Sequence, residues 1–301
     1  MKRPRESRIA LRIAATSILV AIAVLALKSL AAYWSGSVAM LSDAIESIIN
    51  VVTAIAALAA ISYAMRPADR NHPYGHEKVE YLVALLEALL IGAAAWSIFE
   101  RAFDAWHVAR PVAPPLAAYL ANIAAGVINA AWCYVLLSQG KKLRSTALVS
   151  DGRHLWSDVM SSAGVLAGVL LAQLTGLYWF DPLLAGLVAL NILWSGYALL
   201  KLSVSGLMDM APDTATQAAI TSAIAASGDG ALQVHDIRAR ATARSTFIEF
   251  HLVVAGDMPV KLAHGVCDRI EAALRKEIPA ASITIHVEPE EQAHPVAAIQ
   301  F

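Results

Sequence analysis

Six long apolar stretches, at roughly 9–33, 38–63, 79–105, 114–139, 147–174 and 181–206, dominate the chain. Each is long enough to cross a bilayer, for which about 20 residues suffice. Hydrocarbon offers no water to satisfy backbone N–H and C=O groups, so such segments have to be helical. The expectation for residues 1–206 is therefore a membrane domain, an all-α bundle of six transmembrane helices. Composition agrees, because 58% of the 301 residues are hydrophobic and only 16% charged, against about 25% charged in soluble domains.

Six spans leave both termini on one side. The basic N-terminus (Lys2, Arg3, Arg5, Arg8, Arg12), the 64–78 loop (Arg66, Arg70, Lys78) and the 140–146 loop (Lys141, Lys142, Arg144) face that side. The opposite loops hold only Arg110, so the positive-inside rule places the N- and C-termini in the cytoplasm, in an inner or plasma membrane. Trp34, Trp106, Tyr178 and Trp179 fall where an outer aromatic belt would lie. The apolar run behind the basic N-terminus exceeds a signal-peptide core and no small-residue cleavage site follows, so it reads as a retained span. Net charge is −1, which recommends no nucleic acid as a partner. Cys133 and Cys267 are the only cysteines, too few for a disulfide framework or a thiolate zinc site.

After Gly206 the composition turns polar and a soluble domain is expected over 207–290, with a frayed acidic tail at 291–301. Residues 213–227 have helical spacing, 233–241 and 245–254 alternate like strands, 259–277 form an amphipathic helix, and 282–288 alternate again. The order αββαβ predicts a small two-layer α+β domain with helices on one sheet face.

A charge at the bilayer centre costs at least about 2.5–3.5 kcal/mol, so polar residues inside spans tend to mark function. The second span carries Asp43, Glu46 and Asn50; the fifth carries Asp151, His154 and Asp158. Glu46 and Asn50 are four apart, as are His154 and Asp158, so each pair shares a helix face. If the antiparallel spans pack together, Glu46 levels with Asp158 and Asn50 with His154. Three oxygens and a nitrogen then converge tetrahedrally, a set suited to Zn²⁺ first and to Fe²⁺ or Mn²⁺ by its oxygen content. The alternative reading of the same four residues is a polar network that locks two helices together. Asp43 lies at the depth of Lys28 in the first span, and a Lys28–Asp43 ion pair is expected there. Asp151 reads either as an entrance attractor for cations or as a carboxylate favoured by the dipole near a helix N-terminus.

Outside the spans, the loop Arg66 to Lys78 presents Asp69, His72 and His76 within eight positions, bent by Pro73 and Gly75. In the soluble domain His235 and His251 lie on paired strands, His264 on the following helix, and His286 with Glu288 on one face of the last strand. These positions can meet, whereas His294 lies in the acidic tail and reads as incidental.

Together the strings Gly36-Ser-Val-Ala-Met-Leu-Ser-Asp43, His72-Pro-Tyr-Gly-His-Glu-Lys78 and His154-Leu-Trp-Ser-Asp158, with the αββαβ tail, resemble the cation diffusion facilitator family from about Arg8 to Glu288. The resemblance implies a homodimeric antiporter that exchanges divalent metal cations for protons in a lipid bilayer, with the transport site at Glu46, Asn50, His154 and Asp158. It assigns Asp69, His72 and His76 to a loop metal site, and His235, His251, His264, His286 and Glu288 to a cytoplasmic one. An interlock between Lys78 and Asp209 would join the two parts. The family usually has a second carboxylate where Asn50 stands; the neutral amide lowers the charge of the set and moves preference toward Mn²⁺ or Fe²⁺. The runner-up function is a membrane-anchored metal sensor or scaffold whose transport site has degenerated at Asn50. A membrane metalloenzyme is disfavoured, because the chain has no His-Glu-x-x-His string.

Overall fold

The computed structural model describes residues 3–35, 38–107, 116–177, 179–242, 244–295 and 298–301. Within these, the side chains of 3–7, 35, 38–43, 45, 46, 105, 107, 165, 166, 168–170, 172–174, 180, 181 and 185 are not described. The chain forms two compact units, Met1–Leu207 and Met208–Phe301.

The first unit consists of α1 (Arg3–Ser35), α2 (Val38–Ala64), α3 (Val79–His107), α4 (Leu116–Lys142), α5 (Thr146–Thr175) and α6 (Phe180–Leu207). Five of the six are long and apolar enough to cross a membrane, counted over described residues. The exception is α5, which carries Asp151, Arg153, His154 and Asp158 along its first half. Its polarity follows from the residues singled out in the sequence.

Helix contacts are made largely by small residues, as expected where lipid removes the usual hydrophobic drive and close backbone approach supplies the attraction. Ala84, Ala88, Ile91 and Ala95 of α3 pack on Ile192 and Leu199 of α6. Ala10, Ala14, Ala57, Ile61, Leu136, Leu148 and Leu155 join α1, α2, α4 and α5. At Gly152 a Cβ would stand 3.0 Å from Leu137 and 3.1 Å from Leu136, so glycine lets α5 lie against α4 just before the polar segment. Large apolar side chains such as Leu19, Val127, Leu190 and Trp194 point outward, where lipid would receive them.

The second unit has α7 (Thr214–Ser227), β1 (Gln233–Ala241), β2 (Thr246–Val254), α8 (Val260–Glu277), β3 (Ala281–Pro289) and a short β4 (Ile299–Gln300). Asp213 caps α7, its Oδ1 accepting from the Thr216 N–H at 2.7 Å. The sheet is mixed, in the order β3-β2-β1-β4: β1 runs antiparallel to β2 and β4, and β2 parallel to β3. Val234, Ile248, Phe250 and Leu252 pack against Ile220, Ile224, Val266, Ile270 and Leu274 of the two helices. The frayed tail expected over 291–301 is instead tied in, for Ile299 and Gln300 pair with Val234 and Gln233. Those two alternating residues were too few to register as a strand from periodicity.

Candidate metal centres

Asn50 of α2 and His154 of α5 are both 3% exposed. The Asn50 amide Nδ2 donates to Asp158 Oδ2 at 2.5 Å, which joins the two helices but pairs Asn50 with Asp158 where level packing would match it with His154. Among the described residues, Asn50 Oδ1 and both ring nitrogens of His154 are buried without a hydrogen-bond partner. An unsatisfied buried polar group costs about 1–3 kcal/mol, so these atoms are candidates for holding a ligand. The backbone of Glu46 lies one turn from Asn50 on α2, but its side chain falls outside the described ones, as does that of Asp43. Lys28, the expected partner of Asp43, is buried in α1 at 2% exposure.

Asp151 is buried one turn before His154, and neither of its carboxylate oxygens has a hydrogen-bond partner. It lines a small cavity with Ser17, Asn50, Asn129 and Trp132, and the indole of Trp132 donates to Ser17 Oγ at 2.8 Å. Two buried acids of α3 escaped the sequence reading. Glu80 accepts from Ser145 Oγ at 2.7 Å and from the Ala147 N–H at 3.2 Å, and so caps the start of α5 from a neighbouring helix. Glu87 is fully buried with both carboxylate oxygens unbonded. Their seven-residue spacing on an apolar helix was the available signal, since it puts both on one face.

The loop brings all three of its expected residues together. Asp69 lies 3.4 Å from His72 Nδ1 and 3.4 Å from His76 Nε2, and one donor atom from each falls within 4.8 Å of the others. Gly75, at φ +88°, permits the tight turn between the two imidazoles. The backbone N–H groups of His72 and Asn71 donate to Asp69 Oδ1 at 2.8 and 2.9 Å. The His72 bond is the main cause of an Asp69 carboxyl held below its ordinary value of 3.8, so this ligand stays ionised. His76 is buried edge-on against Tyr63, while Asp69 and His72 remain half exposed, which leaves the set open to solvent on one side.

In the C-terminal unit strand register assembles the site. His235 is opposite His251, and His251 is opposite His286, so three imidazoles stand in a row across β1, β2 and β3. Glu288, two residues beyond His286, reaches all three: Oε2 lies 3.3 Å from His235, and Oε1 lies 3.0 Å from His251 and 3.6 Å from His286. His235, His251 and Glu288 each offer a donor atom within 4.8 Å of the others. Two imidazoles and one carboxylate, with His235 Nδ1 also buried and unbonded, fit a zinc-like divalent ion. His264 does not join them; it stands 74% exposed on α8, 3.7 Å from Asp268. Helical position set it among the candidates, but α8 turns that face to solvent. Burial pushes the Cys267 thiol up, consistent with its exclusion as a ligand. Of the expected interlock residues, Lys78 Nζ donates to the Leu207 carbonyl at 3.2 Å within the first unit, and Asp209 accepts from Arg240 at 2.8 Å within the second.

Comparison with known proteins covers both units. The family model of the cation efflux transmembrane domain matches residues 14–208, and that of the cation efflux protein cytoplasmic domain matches 212–290. An uncharacterized transporter of Synechocystis, sll1263, is 39% identical over 95% of this chain and 92% of its own. The cation-efflux pump FieF of Cronobacter sakazakii is 29% identical over 94% and 93%. The solved zinc form of CzrB is 42% identical over 27% of this chain and 86% of its own, with a TM-score of 0.24.

Proposed function

The chain belongs to the cation efflux family, a family of transporters rather than enzymes, and on that premise we propose that it exports a divalent transition metal from the cytoplasm in exchange for protons. The bundle then has six spans with both termini inside, and the protein acts as a homodimer. Its cargo is Zn²⁺ first, with Fe²⁺ or Mn²⁺ as the other candidates, held by Glu46, Asn50, His154 and Asp158. The observation that carries this reading is the junction of α2 and α5: Asn50 bonds Asp158 while three buried donor atoms beside them stay unpaired.

The chemistry follows from what each group can carry. Glu46 and Asp158 balance a dication, whereas Asn50 contributes only a neutral carbonyl oxygen. His154 binds metal as a neutral imidazole and takes a proton once the metal has left, which couples the two cargoes in opposite directions. The loop set Asp69, His72 and His76 and the C-terminal set are read as regulatory metal sites outside the translocation path. Zinc flux driven by a pH gradient into proteoliposomes of the purified chain tests this; absence of flux for Zn²⁺, Fe²⁺ and Mn²⁺ alike would leave the sensor or scaffold reading standing. That second reading is favoured by one feature, the Asn50–Asp158 hydrogen bond, which serves equally as a lock between helices.

A further inference from the structure

The match to the cytoplasmic-domain family ends at residue 290, and beyond it the chain turns back onto the row of histidines. Its return path is fixed at several points. Gln233 grips His294 from both sides, Nε2 donating to the His294 carbonyl at 2.9 Å and Oε1 accepting from the His294 N–H at 2.7 Å. Further on, the Ala298 N–H donates to the Val234 carbonyl at 3.0 Å and the Phe301 N–H to the Leu232 carbonyl at 3.2 Å. The Phe301 ring lies directly over Gly228, in a space that any Cβ there would fill.

The outcome is that the imidazole of His294 lies across that of His235, with centroids 5.5 Å apart and planes 28° from parallel. His235 already belongs to a three-donor set with His251 and Glu288, and protein zinc sites of the structural kind close with four ligands. His286 is differently placed: its ring stands beside His251, 4.9 Å away, and its Nε2 shares the Glu288 Oε1 that His251 already approaches at 3.0 Å. A ligand tethered beside the site binds with a high effective concentration and adds affinity without a new molecule.

We propose that His294 is a further ligand of the divalent cation held by His235, His251 and Glu288, delivered by the C-terminal strap that Gln233 anchors. This rests on the reading of that trio as a metal site, and the experiment separates the two. Purified full-length protein in detergent is titrated with Zn²⁺ against a chromophoric chelator, and with Co²⁺ by visible absorption. His235→Ala identifies the class of binding that belongs to the trio. His294→Ala is expected to weaken that same class by about 10- to 100-fold, to lower the intensity of the tetrahedral Co²⁺ bands, and to recover both on addition of free imidazole. Gln233→Leu keeps the imidazole but drops both anchoring bonds, and is expected to shift affinity in the same direction by less. If His235→Ala loses a binding class that His294→Ala leaves untouched, the trio stands and the His294 assignment is overturned. If His235→Ala loses nothing, the trio itself is not a metal site and the proposal falls with it. Unchanged affinity in Gln233→Leu would overturn the role of the strap.

Discussion

In the helical unit His154 has both ring nitrogens buried and unbonded, whereas in the C-terminal unit each of three histidines has a Glu288 oxygen within 3.6 Å. The residue types are the same, but their states differ. A cation entering between α2 and α5 satisfies atoms that are otherwise orphaned, and on leaving it returns them to that condition. The orphaned atoms raise the free energy of the empty site and so favour binding; release then depends on another species, on the proposed reading a proton, taking the cation's place. A cation entering the histidine row has instead to displace imidazole contacts that a carboxylate already organises. Such a site is pre-arranged by Glu288, although His235 Nδ1 is buried and unbonded there as well. On the proposed reading the first is the transport site and the second a regulatory one, and each assignment can be broken.

The largest effect is expected at Asp158. Asp158→Ala removes one of the two carboxylates proposed to balance the dication and leaves the ion with a single one, a loss of about 3–5 kcal/mol when a buried pair is broken. Zinc flux in proteoliposomes is expected to fall by roughly 10²- to 10³-fold, since about 1.4 kcal/mol is tenfold. Flux at the wild-type rate in a folded Asp158→Ala protein would remove α5 from the transport path.

The next effect, in the same site, is smaller and opposite in sign for binding. Asn50→Asp adds a charge to the ligand set and is expected to lower the half-saturating zinc concentration by about tenfold. Preference for Mn²⁺ or Fe²⁺ over Zn²⁺ should shrink at the same time. Turnover need not rise, because an ion held tightly on one side is released slowly on the other. Metal competition on a dimeric Asn50→Asp protein checks this: an unchanged order among the three ions would mean that Asn50 only bonds Asp158 and never touches the cargo.

The helices were legible in the sequence because 20-residue apolar runs have few alternatives, and the pairing of α2 with α5 was legible because polar residues inside them had so little else to do. Glu80 and Glu87 were not. A single acid in a span reads as tolerated polarity until the neighbouring helix is in place, and two partners of Glu80, the Ser145 hydroxyl and the Ala147 N–H, lie far along the chain where no local motif records them. In the C-terminal unit, alternation located the strands but not their register, and register is what lines up His235, His251 and His286. His264 was overestimated because helical spacing gives the face a residue shares and not the direction that face points. The return of the tail past His235 was not legible because a two-residue strand leaves no period to detect.

Removing metal from the C-terminal unit should matter for stability more than for flux. Zinc at about a hundredfold excess over Kd stabilises the form that binds it by about 2.7 kcal/mol. Chelation of the full chain should lower its thermal midpoint, and His251→Ala with His286→Ala should abolish that shift while leaving transport measurable. Complete loss of flux in the double variant would erase the distinction between a transport site and a regulatory one.

The smallest effect is expected in the loop, where exposure lies between the two extremes. Asp69 carries a carboxyl held below 3.8, chiefly by the His72 N–H. A depressed carboxyl contributes stability above its unfolded value and loses it as pH falls through the folded value, so Asp69 adds nothing variable between pH 5 and 8. Imidazoles, by contrast, have to be neutral to bind metal and are protonated as pH falls through that window. Metal should therefore leave the loop on acidification. Asp69→Asn should weaken zinc binding there by about tenfold at pH 7 yet leave the fold stable, because its side chain is half exposed, as is that of its partner His72. A zinc titration of the full chain at pH 7 and again at pH 5.5 checks both halves. If Asp69→Asn abolishes the pH dependence instead of lowering affinity at each pH, the carboxylate and not the imidazole pair is the titrating element. The loop would then belong with the buried acids of the helical unit and not with the histidine row.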